Sequence, residues 1–178
     1  MIKRLFFVLA IGTITIAGCN NSEAKSVASA DNNPVEKSTT TSEPSEGGKA
    51  IHITKAEFLS KIFNYVANPD TLIYLGDKPC VIDFYADWCG PCKIASPVLD
   101  ELAKEYKDEI YVYKVNTEVE RELAGDFGIR SIPTFIFFPV DGRPVMSSGI
   151  ARTPEETKQM FAQMIDEILL GKKTQESL

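Results

Sequence analysis

The stretch VIDFYADWCGPCKIASP, residues 81–97, runs from an almost unbroken apolar segment into a Cys-Gly-Pro-Cys turn and then into a helical pattern. With Cys80 in front, the run CVIDFYA has the near-continuous hydrophobicity of a strand buried on both faces. Pro91 suits the first turn of the helix that follows, from about Pro91 to Tyr106, because the N–H it lacks would be unpaired there anyway. A buried strand feeding a helix through a short turn is the kernel of a layered α/β domain.

Outward from this kernel, strand and helix patterns alternate without an internal repeat. AIHI (50–53) reads as a short strand, and Thr54 with Glu57 three residues on can cap a helix whose apolar stripe is Phe58, Leu59, Ile62, Phe63 and Val66. Asn68-Pro69-Asp70 breaks that helix, and a short apolar piece, TLIYL (71–75), precedes the central strand. Downstream come a strand IYVYKVN (110–116), a short helix near 118–126, a strand TFIFF (134–138), an Asp141-Gly142 hairpin signal, a strand PVMSSG (144–149) and a helix from about Pro154 to Leu169. Helix–strand alternation ending in a hairpin and a helix predicts a central mixed sheet, parallel in part, with helices on both faces.

The N-terminal third reads differently. Lys3 and Arg4 precede an apolar run of about 13 residues from Leu5 to Ala17, too short for a membrane span and the right length for an export signal. Ile16-Ala17-Gly18-Cys19 resembles a bacterial lipobox, which implies cleavage after residue 18 and lipid on Cys19. Asn20 after the cysteine favours the outer membrane by the sorting pattern of enteric lipoproteins. Residues 19–49, rich in Ser, Thr, Asn and Glu and devoid of aromatics, are expected to form a disordered tether with a reach of ~30 Å. The folded domain is therefore expected over residues 50–178. Its formal charge excludes a basic nucleic-acid binder: the chain carries −6, and losing Lys3 and Arg4 with the leader makes it more acidic.

The cysteines sort by position. Cys89 and Cys92, at i and i+3 of a helical turn, have Cα atoms ~5 Å apart, within disulfide range, so the pair can open and close with little backbone movement. Cys89 precedes the helix, where free N–H groups and the dipole favour a thiolate, so it is the attacking thiol. Cys92, one turn inside, resolves the mixed disulfide. A zinc site would need a second ligand pair, and only Cys80 and His52 remain, neither suitably spaced, so no metal is expected. Gly90 and Pro91 inside the turn argue for an exposed, reactive pair rather than a static staple. Cys80, ~20 Å along the strand from the turn, reads as an inert buried thiol, and His52, flanked by isoleucines, as an outward-facing strand residue rather than a ligand or base. Counting back along the strand puts Asp83 beneath the turn within apolar surroundings, where it can take the proton of Cys92 or, at a strand end or bulge, bond backbone amides; Lys114 in YVYKVN is the counter-charge candidate, although taken by itself that segment reads better with a solvent-facing lysine.

VIDFYADWCGPCKIASP, FGIRSIPTFIFF (127–138) and SGIA (148–151) together closely resemble the thioredoxin family, in order and spacing, over about residues 50–170. The resemblance implies the thioredoxin fold, with Cys89 as nucleophile, Cys92 as resolving thiol, Asp83 as the buried acid, Lys114 as its partner and Pro97 as the proline of the active-site helix. It implies a cis bond between Ile132 and Pro133 and a substrate chain paired with the Ile132 backbone. Gly149 leaves room for that chain, and Trp88, Gly90 and Pro91 form contact surface. Tyr85 stands where many relatives have a second tryptophan, and TLIYLGDK (71–78) is slightly longer than usual.

The expectation is a monomeric, cofactor-free thiol–disulfide oxidoreductase, lipid-anchored on the periplasmic side of a bacterial membrane. It reduces protein disulfides and is itself re-reduced by a membrane electron-transfer protein. Net oxidation or isomerisation is one alternative. A cytochrome c maturation reductase is another, disfavoured by the short link after Asn116. A non-catalytic peptide-binding module is the alternative of another class.

Overall fold

Strand β2 (Cys80–Tyr85), with five of its six residues buried, is the strand around which the sheet is built. In the computed structural model, which describes residues 48–172, it pairs in parallel with β3 (Tyr111–Asn116) and antiparallel with β4 (Thr134–Phe138). A short strand β1 (Ile51–His52) adds in parallel to β3, and β5 (Val145–Ser148) adds antiparallel to β4, giving the order β1-β3-β2-β4-β5. The partly parallel five-stranded sheet expected from the alternation is what forms. The leader, Cys19 and the tether up to residue 47 lie outside the described residues. Among the described residues no helix is long and apolar enough to cross a membrane.

Because side chains alternate along a strand, β2 feeds two separate cores. Val81 joins Val112, Phe135 and Phe137 under α2 (Gly90–Glu105) and α4 (Pro154–Met164). Cys80, Ile82 and Phe84 point the other way, to α1 (Lys55–Lys61) and α3 (Arg121–Asp126), where Phe58, Ile62 and Leu123 are completely buried. Phe161 of α4 meets Phe135 edge to face at 4.6 Å between ring centroids. Burying a side chain of that size contributes ~2–3 kcal/mol and fastens α4 to the sheet.

The ends of the elements have local causes. Thr54 and Glu57 form the expected capping box of α1, and Thr153 with Glu156 forms a second one at α4 that the sequence reading did not identify. The first helix is shorter than its apolar stripe suggests. Leu75 donates its N–H to the Ile62 carbonyl and Phe63 bridges Tyr74, which draws the chain out of the helix after Lys61. Val66, counted in the stripe, is consequently exposed, as are Leu72, Ile73 and Leu75 of the TLIYL piece. The third helix starts at Arg121 rather than 118, because Asn116 Oδ1 accepts the Glu118 N–H and holds a turn there. The last helix runs as expected to Leu169, its final stretch, Ile165–Leu169, widened into a π-helical turn.

α2 runs from the Cys-Gly-Pro-Cys turn across the sheet for ~24 Å. At its far end Gly48 lies against Lys104 and Lys107.

Candidate functional site

Cys89 is the N-cap of α2. Its extended backbone lets Sγ accept the Cys92 N–H at 3.2 Å, and Pro91 occupies the first turn. The two sulfurs are joined in a disulfide with a Cα–Cα distance of 5.3 Å, in line with the spacing of i and i+3 on a helical turn. After reduction, the same N–H and the dipole of this 16-residue helix stabilise a thiolate on Cys89.

The sequence reading expects an exposed pair, but both cysteines are buried, at 3% for Cys89 and 1% for Cys92, packed with Ala86 and against Tyr85 and Ile132. Exposure resides instead in Trp88, Gly90 and Pro91 around them. A substrate disulfide must therefore come down onto the turn rather than meet a protruding thiol.

The residues implied as substrate contacts assemble at the same place. The Ile132-Pro133 bond is cis, and Ile132 packs against the cysteine cluster. The Pro133 carbonyl accepts the Gly149 N–H at 2.9 Å. Gly149 has φ +82°, a conformation L side chains rarely adopt, and open space where a Cβ would stand. Pro97 lies inside α2, where it cannot donate to the Lys93 carbonyl, and lines the cavity described below.

Asp83 has no exposed surface, and neither of its carboxylate oxygens has a hydrogen-bond partner among the described residues. Burial pushes its carboxyl up to about 7. The charge of Lys114 pulls the other way, and Asp100 adds to the rise. An acid poised near neutrality on the central strand that leads into the dithiol turn is suited to proton transfer at neutral pH.

Lys114 acts on Asp83 as a counter-charge at a distance. It sits directly across from Asp83 in the β2–β3 register and acts on it through space, but it makes no ion pair with it. Its Nζ donates to Ser96 Oγ at 2.9 Å and lies 5.1 Å from the centroid of the Tyr85 ring. The ring and the α2 hydroxyl compete for the ammonium, which leaves the carboxylate unsatisfied and its pKa high.

Two further side chains enter the site that sequence reasoning did not place there. Ser96 is four residues after Cys92 on the same face of α2, a spacing that could have identified it. His52 is exposed, as expected, but at the mouth of a cavity of about 360 Å³ lined also by Tyr85, Cys92, Ser96, Pro97 and Lys114. Its Nδ1 is 3.2 Å from the Tyr85 hydroxyl.

Cys80 is buried on the opposite face of β2, with its thiol pushed up to about 12 by burial. It is expected to resist iodoacetamide in the folded, reduced protein while Cys89 reacts, and to be labelled only in denaturant; peptide mapping by mass spectrometry reads both sites.

Residues 50–166 match the family model named Thioredoxin. The chain is 45% identical over 100 residues to a thioredoxin of Borreliella burgdorferi, covering 56% of this chain and 85% of that protein. It is 46% identical over 91 residues to a thioredoxin of Alicyclobacillus acidocaldarius, covering 51% and 83% respectively. A chloroplastic M-type thioredoxin of Spinacia oleracea is 57% identical over 81 residues, which are 46% of this chain and 44% of that protein. With the family model spanning nearly all of the sheet and helices around the dithiol, and bacterial relatives aligned over more than four fifths of their length, the chain belongs to the thioredoxin family of disulfide oxidoreductases.

Proposed function

We propose that this oxidoreductase works as a reductant of disulfides in extracytoplasmic proteins, held to a membrane by lipid on Cys19. The observation that carries the exchange chemistry is the Cys89–Cys92 pair capping α2, with the Cys92 N–H on the Cys89 sulfur and Asp83 buried in the strand that leads into the turn. Reduced Cys89 attacks a substrate disulfide and forms a mixed disulfide. Cys92, giving its proton towards Asp83, attacks Cys89 Sγ, the substrate leaves as a thiol, and the Cys89–Cys92 bond forms. The Gly90-Pro91 dipeptide between the cysteines supports the reducing direction, and the Lys3-Arg4 leader ending at Gly18-Cys19 supports export and lipidation. Electrons for the next cycle then come from a membrane protein that carries them across.

The test is the reduction potential of the couple, equilibrated against glutathione and read by the fluorescence of Trp88. Trp88 is the chain's single tryptophan, 68% exposed and adjacent to Cys89. A reductant is expected near −270 mV, and a value near −120 mV would assign net oxidation instead. Incorporation of labelled palmitate, lost in Cys19→Ser, tests the anchor. A chain that stays unlabelled and in the cytoplasm would sink the extracytoplasmic assignment.

A further inference from the structure

Cys92 gives up a proton in every cycle, and the acid that receives it has no exposed surface. A proton left on Asp83 would block the next turnover, so it must have an exit. The sheet offers one. Asp83 of β2 is in register with Lys114 of β3, and Lys114 with His52 of β1, so the three titratable side chains form a row across adjacent strands, spaced ~4.8 Å apart. Residues in register share a face, and the lining of the cavity identifies that face as the one covered by α2. Tyr85, two residues beyond Asp83 and hence on the same face, reaches across to the His52 Nδ1 at 3.2 Å. Cys92, Ser96, Lys114, Tyr85 and His52 all border the same cavity, only His52 among them is broadly exposed, and Asp83 lies beside it in register with Lys114 rather than on its wall.

We propose that His52 is the outlet of the resolving step: it takes the proton that Cys92 passes to Asp83 and releases it to solvent, with Tyr85 holding the imidazole in place. This rests on the reducing direction argued above, in which the proton leaves the site rather than enters it. The step balances. As Cys92 Sγ bonds to Cys89 Sγ, the bond between Cys89 and the substrate sulfur breaks, and the electron pair leaves on the substrate thiolate, which is protonated from solvent. The Cys92 proton moves to the Asp83 carboxylate and then along the row of side chains, past Lys114 and through water in the cavity that Lys114 and His52 both line, to the imidazole nitrogen not engaged by Tyr85. His52 is thus a positioning and transfer residue that acts through Asp83, without touching the sulfurs.

The surroundings suit this role. Partial burial and the positive charge of Lys114 on β3 hold the imidazole below its usual pKa, which favours the neutral form that can accept a proton. Lys49, before β1, acts in the same direction. Asp87 at the end of the β2 turn and Asp100 on α2 oppose them, and Lys93 of α2 and the Tyr85 hydroxyl complete the groups around the cavity. Histidine occurs once in the chain, so its titration is read without ambiguity.

The experiment mixes the reduced protein with an aromatic disulfide that releases one coloured thiolate when Cys89 attacks and a second when Cys92 resolves. In dilute buffer near pH 7, His52→Gln is expected to leave the first phase unchanged and to slow the second about tenfold, the lower end of what a positioned proton acceptor contributes when water can partly replace it. Added free imidazole should restore the second phase in His52→Gln and leave the wild type unchanged. The second-phase pH profile of the wild type should show an inflection at the imidazole pKa measured by NMR, and the variant should lack it. Tyr85→Phe, which keeps the ring under Lys114, should slow the second phase less and move the imidazole pKa. A second phase within twofold of wild type in His52→Gln, or a loss that imidazole does not repair, overturns the proposal. A wild type that releases only one equivalent of thiolate would instead overturn the role of Cys92 and the exchange reading itself.

Discussion

Replacing Cys89 with serine is expected to reduce disulfide exchange to the uncatalysed level, and replacing Cys92 with alanine to stop it halfway. A serine hydroxyl is not ionised near neutral pH and cannot enter a disulfide, so the Cys92 N–H and the helix dipole that favour the Cys89 thiolate have nothing to act on. With Cys92→Ala the first attack proceeds, but no thiol one turn into α2 is left to release the substrate, and the mixed disulfide accumulates. Non-reducing electrophoresis should show covalent adducts with Cys92→Ala and none with Cys89→Ser or the double variant. A peptide-binding module would keep its partners in Cys89→Ser, and that outcome would remove exchange as the purpose of the groove. Both side chains are small and pack against Ala86, Tyr85 and Ile132 in a cluster separate from the two main cores, so both variants should fold.

Asp83→Asn is expected to make the protein more stable at neutral pH and less active. In the folded chain burial holds the carboxyl at about 7, whereas in the unfolded chain it ionises near the ordinary ~3.9. Below pH ~4 both states keep the proton and Asp83 has no effect on stability. Between ~4 and ~7 the unfolded chain releases the proton while the native one holds it, so stability falls as pH rises. Above ~7 the penalty is complete, of order 4 kcal/mol at ~1.4 kcal/mol per decade of pKa difference. The amide carries no charge but inherits a pocket without hydrogen-bond partners, so a gain of ~2–3 kcal/mol at pH 8 is expected, vanishing at pH 4. Urea denaturation at the two pH values measures it, and a gain independent of pH would show that the buried charge is not its source. The resolving step should slow by about 10²-fold, because the amide accepts no proton.

Much of this was legible in residues 80–97. A run apolar on both faces could only be a central strand, Pro91 could only suit a helix start, and the cysteine spacing fixed the disulfide distance to within a few tenths of an ångström. What failed were readings that extended local pattern past a tertiary contact. The stripe through Phe63 and Val66 looked helical, but pairing of residues 62–63 with 74–75 ends α1 early. Lys114 was placed correctly beside Asp83, yet which neighbour its ammonium chooses depends on Ser96 and Tyr85, brought there by α2 and by strand pairing. His52 looked unremarkable between two isoleucines because register across three strands, which no single segment encodes, is what aligns it with Asp83.

Gly48 lies beside Lys104 and Lys107, at the end of α2 remote from the disulfide. The chain thus enters its domain at one pole and does its chemistry at the other, ~24 Å along the helix. Coupling to a resin through residues ahead of Gly48 therefore joins the domain away from the dithiol, and the immobilised protein is expected to keep its disulfide-exchange activity.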